Sequence, residues 1–220
     1  MTFERVKIWD VPVRLVHWAL VALIGFSWWS GEAGGNALTY HVWSGYAILT
    51  LVVFRVLWGF VGSTTARFAS FVRGPRAVLE YLSTVRQRGM SGHAGHNPLG
   101  GWSVVLLLAT IAVQAAAGLF SNDDIATEGP LAHFVSKSVS DAITRVHHLN
   151  FDLLLVLASA HVAAVLYYYF YKSENLVAAM VTGVKYVAAP APRGLRMAGA
   201  GRAVVAFAVA AAAVYWLVNQ

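Results

Sequence analysis

Cysteine is absent from this chain of 220 residues. Its absence excludes disulfide bonds, iron–sulfur clusters held by thiolates and c-type heme attachment. Charged residues are scarce at 12% of the chain, whereas soluble domains carry about 25%. The net charge of +6 is explained better by basic loops beside a membrane than by nucleic-acid binding. We therefore expect a membrane protein with no nucleic-acid partner.

Long apolar runs make up much of the chain, whose mean hydropathy is +0.61. A helix that crosses the hydrocarbon core needs about 20 residues. The first run carries Arg14, whose side chain can snorkel toward the lipid headgroups. The last is short, rich in alanine and uncharged, which favours a fifth span over a surface helix. The predicted spans are residues 13–29, 41–61, 99–120, 147–171 and 203–218.

Basic residues alternate between the loops. Arg5 and Lys7 precede the first run, the loop 31–40 has no Lys or Arg, and the segment 62–98 holds five arginines. The segment 121–146 has two cations against four acids, and five cations follow the fourth run. Because cytoplasmic loops carry an excess of cations, this alternation predicts a cytoplasmic N-terminus. The N-terminal residues lack a cleavage site, so we expect them to belong to the mature protein.

Histidine is the residue type that indicates chemistry. Ionisable groups inside a membrane are costly and mark functional sites. The alternative for a single buried histidine is a hydrogen bond to a backbone carbonyl, but four such residues favour ligand binding. The four that lie in or beside the apolar runs are His17, His41, His147 and His161, with His148 next to one of them.

Helical geometry predicts how the four histidines pair. His147 and His161 are fourteen residues apart, which is about 1400° of rotation, so both project from nearly one helix face about 21 Å apart along the axis. His148 projects from nearly the opposite face to His161. With the predicted topology, His17 lies at the depth of His161 and His41 at the depth of His147. Each pair joins two helices, as axial ligation of a heme requires.

Other polar or small residues in the spans allow two readings each. Gly45, one turn after His41, leaves room for a flat macrocycle or simply permits close helix packing. Arg55 can pair with a heme propionate or snorkel. Asp152 is either a proton acceptor or a structural carboxylate. Gln114 either forms a functional site or, as we favour, makes an interhelical hydrogen bond.

The predicted fold is therefore all-α. We expect five membrane-spanning helices that hold two hemes, with the last of them forming an additional C-terminal helix within residues 187–220. Inside the segment 62–98, Gly74 followed by Pro75 predicts the start of a short helix.

Several motifs resemble the bacterial cytochrome b561 family, which includes the b-type cytochrome subunits of nickel–iron hydrogenases. The resemblance covers residues 6 to 186. The motifs are KIWDVPVRLVHW, HVWSGYAILTLVVFRVLWGF, GHNPLGGW, GPLAHFVS and VHHLNFDLLLVLASAHVAAVLYYYFYKSENLVAAMVTGVK.

The resemblance implies a transmembrane four-helix bundle within residues 1–186 that binds two b hemes. Each heme would have two histidine ligands, and the ligand positions are His17, His41, His147 and His161. It also implies electron exchange between the quinone pool and a membrane or periplasmic redox partner. One position departs from the family, which often has a glutamate where this chain has His148, and that departure bears on proton handling during quinone chemistry.

Electron transfer is the function that these observations favour. They assign no catalytic residue. They allow quinol oxidase or quinone reductase activity without requiring either. Two alternatives are a membrane anchor and electron conduit for a hydrogenase or dehydrogenase without quinone chemistry, and a small proton-coupled transporter. Two pairs of loop residues could hydrogen-bond a quinone, although a solvated loop position explains each as well. They are His133 with Asp141, and His93 with His96.

Overall fold

A computed structural model of the protein describes residues 3–89, 93–190, 192 and 194–220. Arg193, one of the cations that predict the orientation, lies outside the described residues. The helices are α1 (Val11–Ala33), α2 (Leu38–Val61), α3 (Phe68–Phe71), α4 (Pro75–Thr84), α5 (Pro98–Gly118), α6 (Lys137–Phe170), α7 (Leu176–Thr182) and α8 (Ala200–Val218). The described part of the chain also contains two strands, β1 (Phe3–Lys7) and β2 (Val184–Ala188).

Among the residues that the structure describes, five helices are long and apolar enough to cross a membrane, namely α1, α2, α5, α6 and α8. This confirms the all-α membrane fold, including a fifth apolar helix near the C-terminus. The short helix α4 also begins where predicted, with Gly74 as its N-cap and Pro75 in its first turn. Pro75 suits that position because the first residues of a helix have no intrahelical acceptor for a backbone N–H, and proline has no N–H to satisfy.

Helix α6 begins ten residues before His147, which is earlier than the hydropathy predicts. Its first turn is polar, and Lys137 forms an ion pair there with Asp141 four residues later. Pairs with this spacing stabilise a helix in water. Hydropathy detects the part of a helix that contacts lipid, so the helical turns outside the membrane were missed.

The strands β1 and β2 form an antiparallel pair that joins the start of the chain to the segment after α7, with Phe3 opposite Ala188 and Lys7 opposite Val184. Gly183 closes α7 at a φ of 81°, and its carbonyl accepts the backbone N–H of both Ile8 and Trp9. A side chain at Gly183 would come within 2.6 Å of the Trp9 carbonyl oxygen. Only glycine satisfies both the left-handed conformation and this contact.

The chain divides into two compact units. The first consists of Met1–Leu15, Leu57–Leu106 and Leu157–Ala203, and the second of Val16–Val56, Leu107–Val156 and Val204–Gln220. In the first unit, the fully buried Trp58 donates its indole N–H to Asp10 Oδ2 at 2.9 Å. Asp10 Oδ1 accepts the backbone N–H of Val13 and thereby caps α1.

The core of the second unit includes residues of α2, of α8 and of the segment that follows α5. Leu49, Leu119, Leu131 and Val214 form a buried cluster. Phe207 of α8 also contacts Phe54 of α2, with ring centroids 6.0 Å apart. The C-terminal helix is therefore packed into this unit. The division of the sequence between residues 1–186 and 187–220 stays a prediction.

Candidate cofactor site

Two histidine rings approach each other within the second unit. His41 lies in the first turn of α2 and His147 lies in α6. Their ring centroids are 6.0 Å apart and their planes cross at 73°. Both line a cavity of about 290 Å³, whose walls include Gly45, Gly118, Asn122, Thr127, His148 and Phe151. The structure thus brings together one of the two predicted pairs.

A carbonyl of α1 orients His41. The Nδ1 atom of His41 lies 2.8 Å from the Ser27 carbonyl oxygen, and the Ser27 hydroxyl lies 3.2 Å from the same nitrogen. Because a carbonyl only accepts hydrogen bonds, Nδ1 carries the ring proton in this arrangement. The Nε2 atom then keeps its lone pair for a ligand.

His147 has the same arrangement on the neighbouring helix α5. Its Nδ1 atom lies 3.0 Å from the Gln114 carbonyl oxygen. The side chain of Gln114 is bonded across to α6, because Asn150 Nδ2 donates to Gln114 Oε1 at 2.7 Å and to the Thr110 carbonyl oxygen at 3.0 Å. The predicted interhelical hydrogen bond of Gln114 is therefore confirmed.

Glycines allow the rings to approach these helices. A Cβ atom at Gly31 would lie 3.0 Å from His41 Nδ1, and one at Gly118 would lie 3.2 Å from His147 Cε1. At Gly45 an added Cβ would meet no described atom within 4 Å. The clearance for a macrocycle at Gly45 stays a prediction. The sequence did not indicate Gly31 and Gly118, since a glycine inside an apolar helix does not reveal which neighbour it touches.

The other two predicted ligands, His17 and His161, do not belong to the same unit. His17 is in the second unit, where its ring packs edge-on against Trp18 with centroids 4.9 Å apart. His161 is in the first unit and is half-buried. The pairing of His17 with His161 stays a prediction.

Arg55 and Asp152 differ in their exposure. Arg55 is only 6% exposed, so its side chain lies inside the protein, which disfavours simple snorkelling. Its pairing with a propionate stays a prediction. Asp152 is exposed and lies outside the residues that line the cavity, which argues against a role as proton acceptor at the His41–His147 pair.

The four loop residues considered for quinone binding do not line the cavity. His96 lies between Trp9 and Phe71, with ring centroids 4.6 Å from each. The ring of His93 packs edge-on against Tyr81. His133 is exposed, and Asp141 accepts a hydrogen bond from Asn122 and pairs with Lys137.

A loop held by Asp123 forms one wall of the cavity. Asp123 Oδ1 accepts the backbone N–H groups of Thr127, Ala126 and Ile125 at 2.8, 2.9 and 3.0 Å. These hydrogen bonds, the one from Thr127 above all, stabilise the ionised carboxylate and lower the pKa of Asp123 from 3.8 to about 2. Asn122 joins the loop to α6 through the Ser140 hydroxyl at 2.6 Å.

The two rings have the spacing of imidazoles that share one metal ion. Metal–nitrogen bonds of about 2 Å on opposite sides of an ion place the ring centres about 6 Å apart, and the observed separation is 6.0 Å. A ligand histidine usually donates its other ring N–H to a carbonyl, as both do here. The arrangement fits a metallocofactor held between helices.

Apolar spanning helices that enclose such a site define a membrane protein able to hold a metallocofactor. The chain belongs to the prokaryotic cytochrome b561 family, whose model matches residues 8–183. It is therefore a multi-pass membrane cytochrome of the b type that works in electron transfer, and the family implies heme b as its cofactor.

A relative from Rhizobium leguminosarum bv. viciae is described as a probable Ni/Fe-hydrogenase B-type cytochrome subunit. It is 24% identical over 212 residues, which cover 82% of this chain and 88% of the relative. No solved structure significantly matches the chain.

Proposed function

We propose that this protein is a diheme cytochrome of the bacterial inner membrane that transfers electrons between the quinone pool and a membrane or periplasmic redox partner. The observation that carries the proposal is the opposition of His41 and His147 across one cavity, with each Nδ1 directed at a helix carbonyl. Cations are concentrated before the first span, in residues 62–98 and after the fourth span. This distribution supports a cytoplasmic N-terminus.

His41 and His147 would hold a heme iron through their Nε2 atoms. Bound heme b supplies one-electron chemistry between its ferric and ferrous states. The carbonyls of Ser27 and Gln114 hold each ring in one tautomer and increase the basicity of Nε2. With both histidines bound to the iron, the heme would suit electron transfer and not oxygen binding.

His17 and His161 are the proposed ligands of a second heme. The separation of about 21 Å between His147 and His161 along one helix supports two sites at different depths. Arg55 is the proposed partner of a heme propionate, and the burial of its side chain, which is only 6% exposed, is consistent with a position inside the protein. The opening beside Gly45 supports clearance for the macrocycle.

Optical spectroscopy and heme analysis test this proposal. We expect the purified protein to show b-type bands on reduction and about two hemes per chain, one for each histidine pair. Reduction by added quinol, followed in a stopped-flow instrument, tests exchange with the quinone pool. A colourless protein from heme-replete cells would overturn the proposal.

A second candidate function is suggested by the hydrogenase cytochrome relative. In that case the chain is a membrane anchor and electron conduit of a hydrogenase or dehydrogenase complex, without quinone chemistry of its own. Heme reduction by a bound partner enzyme, together with no reduction by quinol, would favour this function over the first.

A further inference from the structure

Each histidine of the His41–His147 site contacts a carbonyl and a glycine of a neighbouring helix, and in both helices the two contacting residues are four positions apart. On α1, the carbonyl that faces His41 belongs to Ser27 and the glycine beside the ring is Gly31. On α5, the corresponding residues are Gln114 and Gly118. In each case the glycine follows the carbonyl by four residues, which is about one helical turn.

The spacing has a physical cause. Inside a helix the carbonyl of residue i accepts the N–H of residue i+4, but its oxygen has a second lone pair. The Cβ of residue i+4 leans toward the helix N-terminus and covers the turn that holds this oxygen. A glycine at i+4 removes the cover, so the imidazole N–H can reach the second lone pair.

We infer that Ser27 with Gly31, and Gln114 with Gly118, are two matched imidazole clamps that set the ring orientation and the basicity of His41 and His147. Each ring must direct its Nδ1–H at a carbonyl of a different helix, α1 or α5. The two carbonyl directions therefore determine the angle between the ring planes, which is 73°. The inference rests on the proposed function, because it assumes that the two rings share one heme.

Electron paramagnetic resonance of the oxidised protein tests the clamps. Crossed imidazole planes give low-spin ferric heme a more anisotropic spectrum, with a larger highest g-value, than parallel planes do. Gly31→Ala and Gly118→Ala each add one Cβ against a ligand ring. Gly25→Ala is the matched control, because Gly25 is an exposed glycine of α1 whose added Cβ would meet no described atom within 4 Å.

We expect both clamp variants to shift the highest g-value of one heme and to raise its midpoint potential, since a weaker hydrogen bond at Nδ1 makes the ligand less basic. The shift should be larger for Gly31→Ala, where the added Cβ lies 3.0 Å from the ring, than for Gly118→Ala, where it lies 3.2 Å away. Gly25→Ala should match the unmodified protein in g-values, potentials and heme content.

The inference is overturned if Gly118→Ala retains full heme content with the g-values and potentials of Gly25→Ala. Gly118→Ala tests the inference even if Gly31→Ala loses the heme, because the added Cβ at Gly118 lies farther from its histidine ring than the one at Gly31 does. Absence of any low-spin ferric signal from the unmodified protein would instead refute the proposed function itself. The two failures are therefore distinguishable.

Discussion

The rings of His41 and His147 face each other at 6.0 Å, and each is bonded through Nδ1 to a different neighbouring helix. If both bind one iron, removing either ligand should have the same effect. We expect His41→Ala and His147→Ala each to lose the same heme, seen as loss of the same midpoint in a spectroelectrochemical titration. The exposed His133 provides the control, and His133→Ala should keep both hemes.

The corresponding pair of variants tests the second proposed site. His17→Ala and His161→Ala should both lose the other midpoint and retain the one that depends on His41. The pairing is wrong if His17→Ala and His147→Ala remove the same heme while His41→Ala removes a different one.

Gly45 lines the cavity one turn after His41, and an added Cβ there would meet no described atom within 4 Å. If this opening accommodates the macrocycle, a large side chain should exclude it. We expect Gly45→Leu to lose most of the heme that depends on His41, and Gly45→Ala to lose less, as measured by heme content per chain.

Gly25→Leu is the matched control for this prediction, because Gly25 is an exposed glycine in the interior of a spanning helix. It carries the same change in helix propensity without reaching the cavity. Equal heme loss in Gly25→Leu and Gly45→Leu would show that helix disruption, and not the cavity, explains the result.

The long helices, and the helix faces on which their histidines lie, were predictable because lipid and helical geometry restrict the sequence in simple ways. Lipid requires uninterrupted apolar runs, and a rotation of about 100° per residue determines which side chains share a face. These two rules, with the predicted topology, were sufficient to predict that His41 and His147 lie close together, as the structure shows. The α4 helix followed from the local preference of Pro75 for a first turn.

The groups that orient the two histidine rings were not predictable from the sequence in the same way. The groups that orient the rings are backbone carbonyls of Ser27 and Gln114, and every residue has such a carbonyl. The pairing of β1 with β2 joins two five-residue segments far apart in the chain, where short strands carry little periodic signal. These features depend on which elements become neighbours, which one sequence does not specify.

The loop held by Asp123 should respond to acid. The folded-state pKa of about 2 lies below the ordinary value of 3.8, so the carboxylate stabilises the loop fully above the ordinary value, and the effect is lost as pH falls toward 2. We expect the difference in thermal stability between the unmodified protein and Asp123→Ala to be constant near neutral pH and to shrink below about pH 4. A difference that stays constant down to pH 3 would contradict this assignment.

Glu174 and Lys185 form a buried ion pair in the first unit, with side chains only 3% and 7% exposed and a distance of 2.5 Å from Nζ to Oε1. Lys185 Nζ also donates to the His93 carbonyl oxygen. Replacing Glu174 with glutamine leaves a buried ammonium without its counter-charge, which typically costs about 3–5 kcal/mol. We expect Glu174→Gln to lower the unfolding free energy in detergent by an amount of this order.

An exposed pair on α4 supplies the comparison. Arg76 and Glu80 are 90% and 65% exposed, so Glu80→Gln should cost no more than about 1 kcal/mol. Adding Lys185→Met to Glu174→Gln removes the unpaired charge and should recover much of the lost stability. Equal losses from Glu174→Gln and Glu80→Gln, with no recovery in the double variant, would mean that burial of the pair does not govern its energetics.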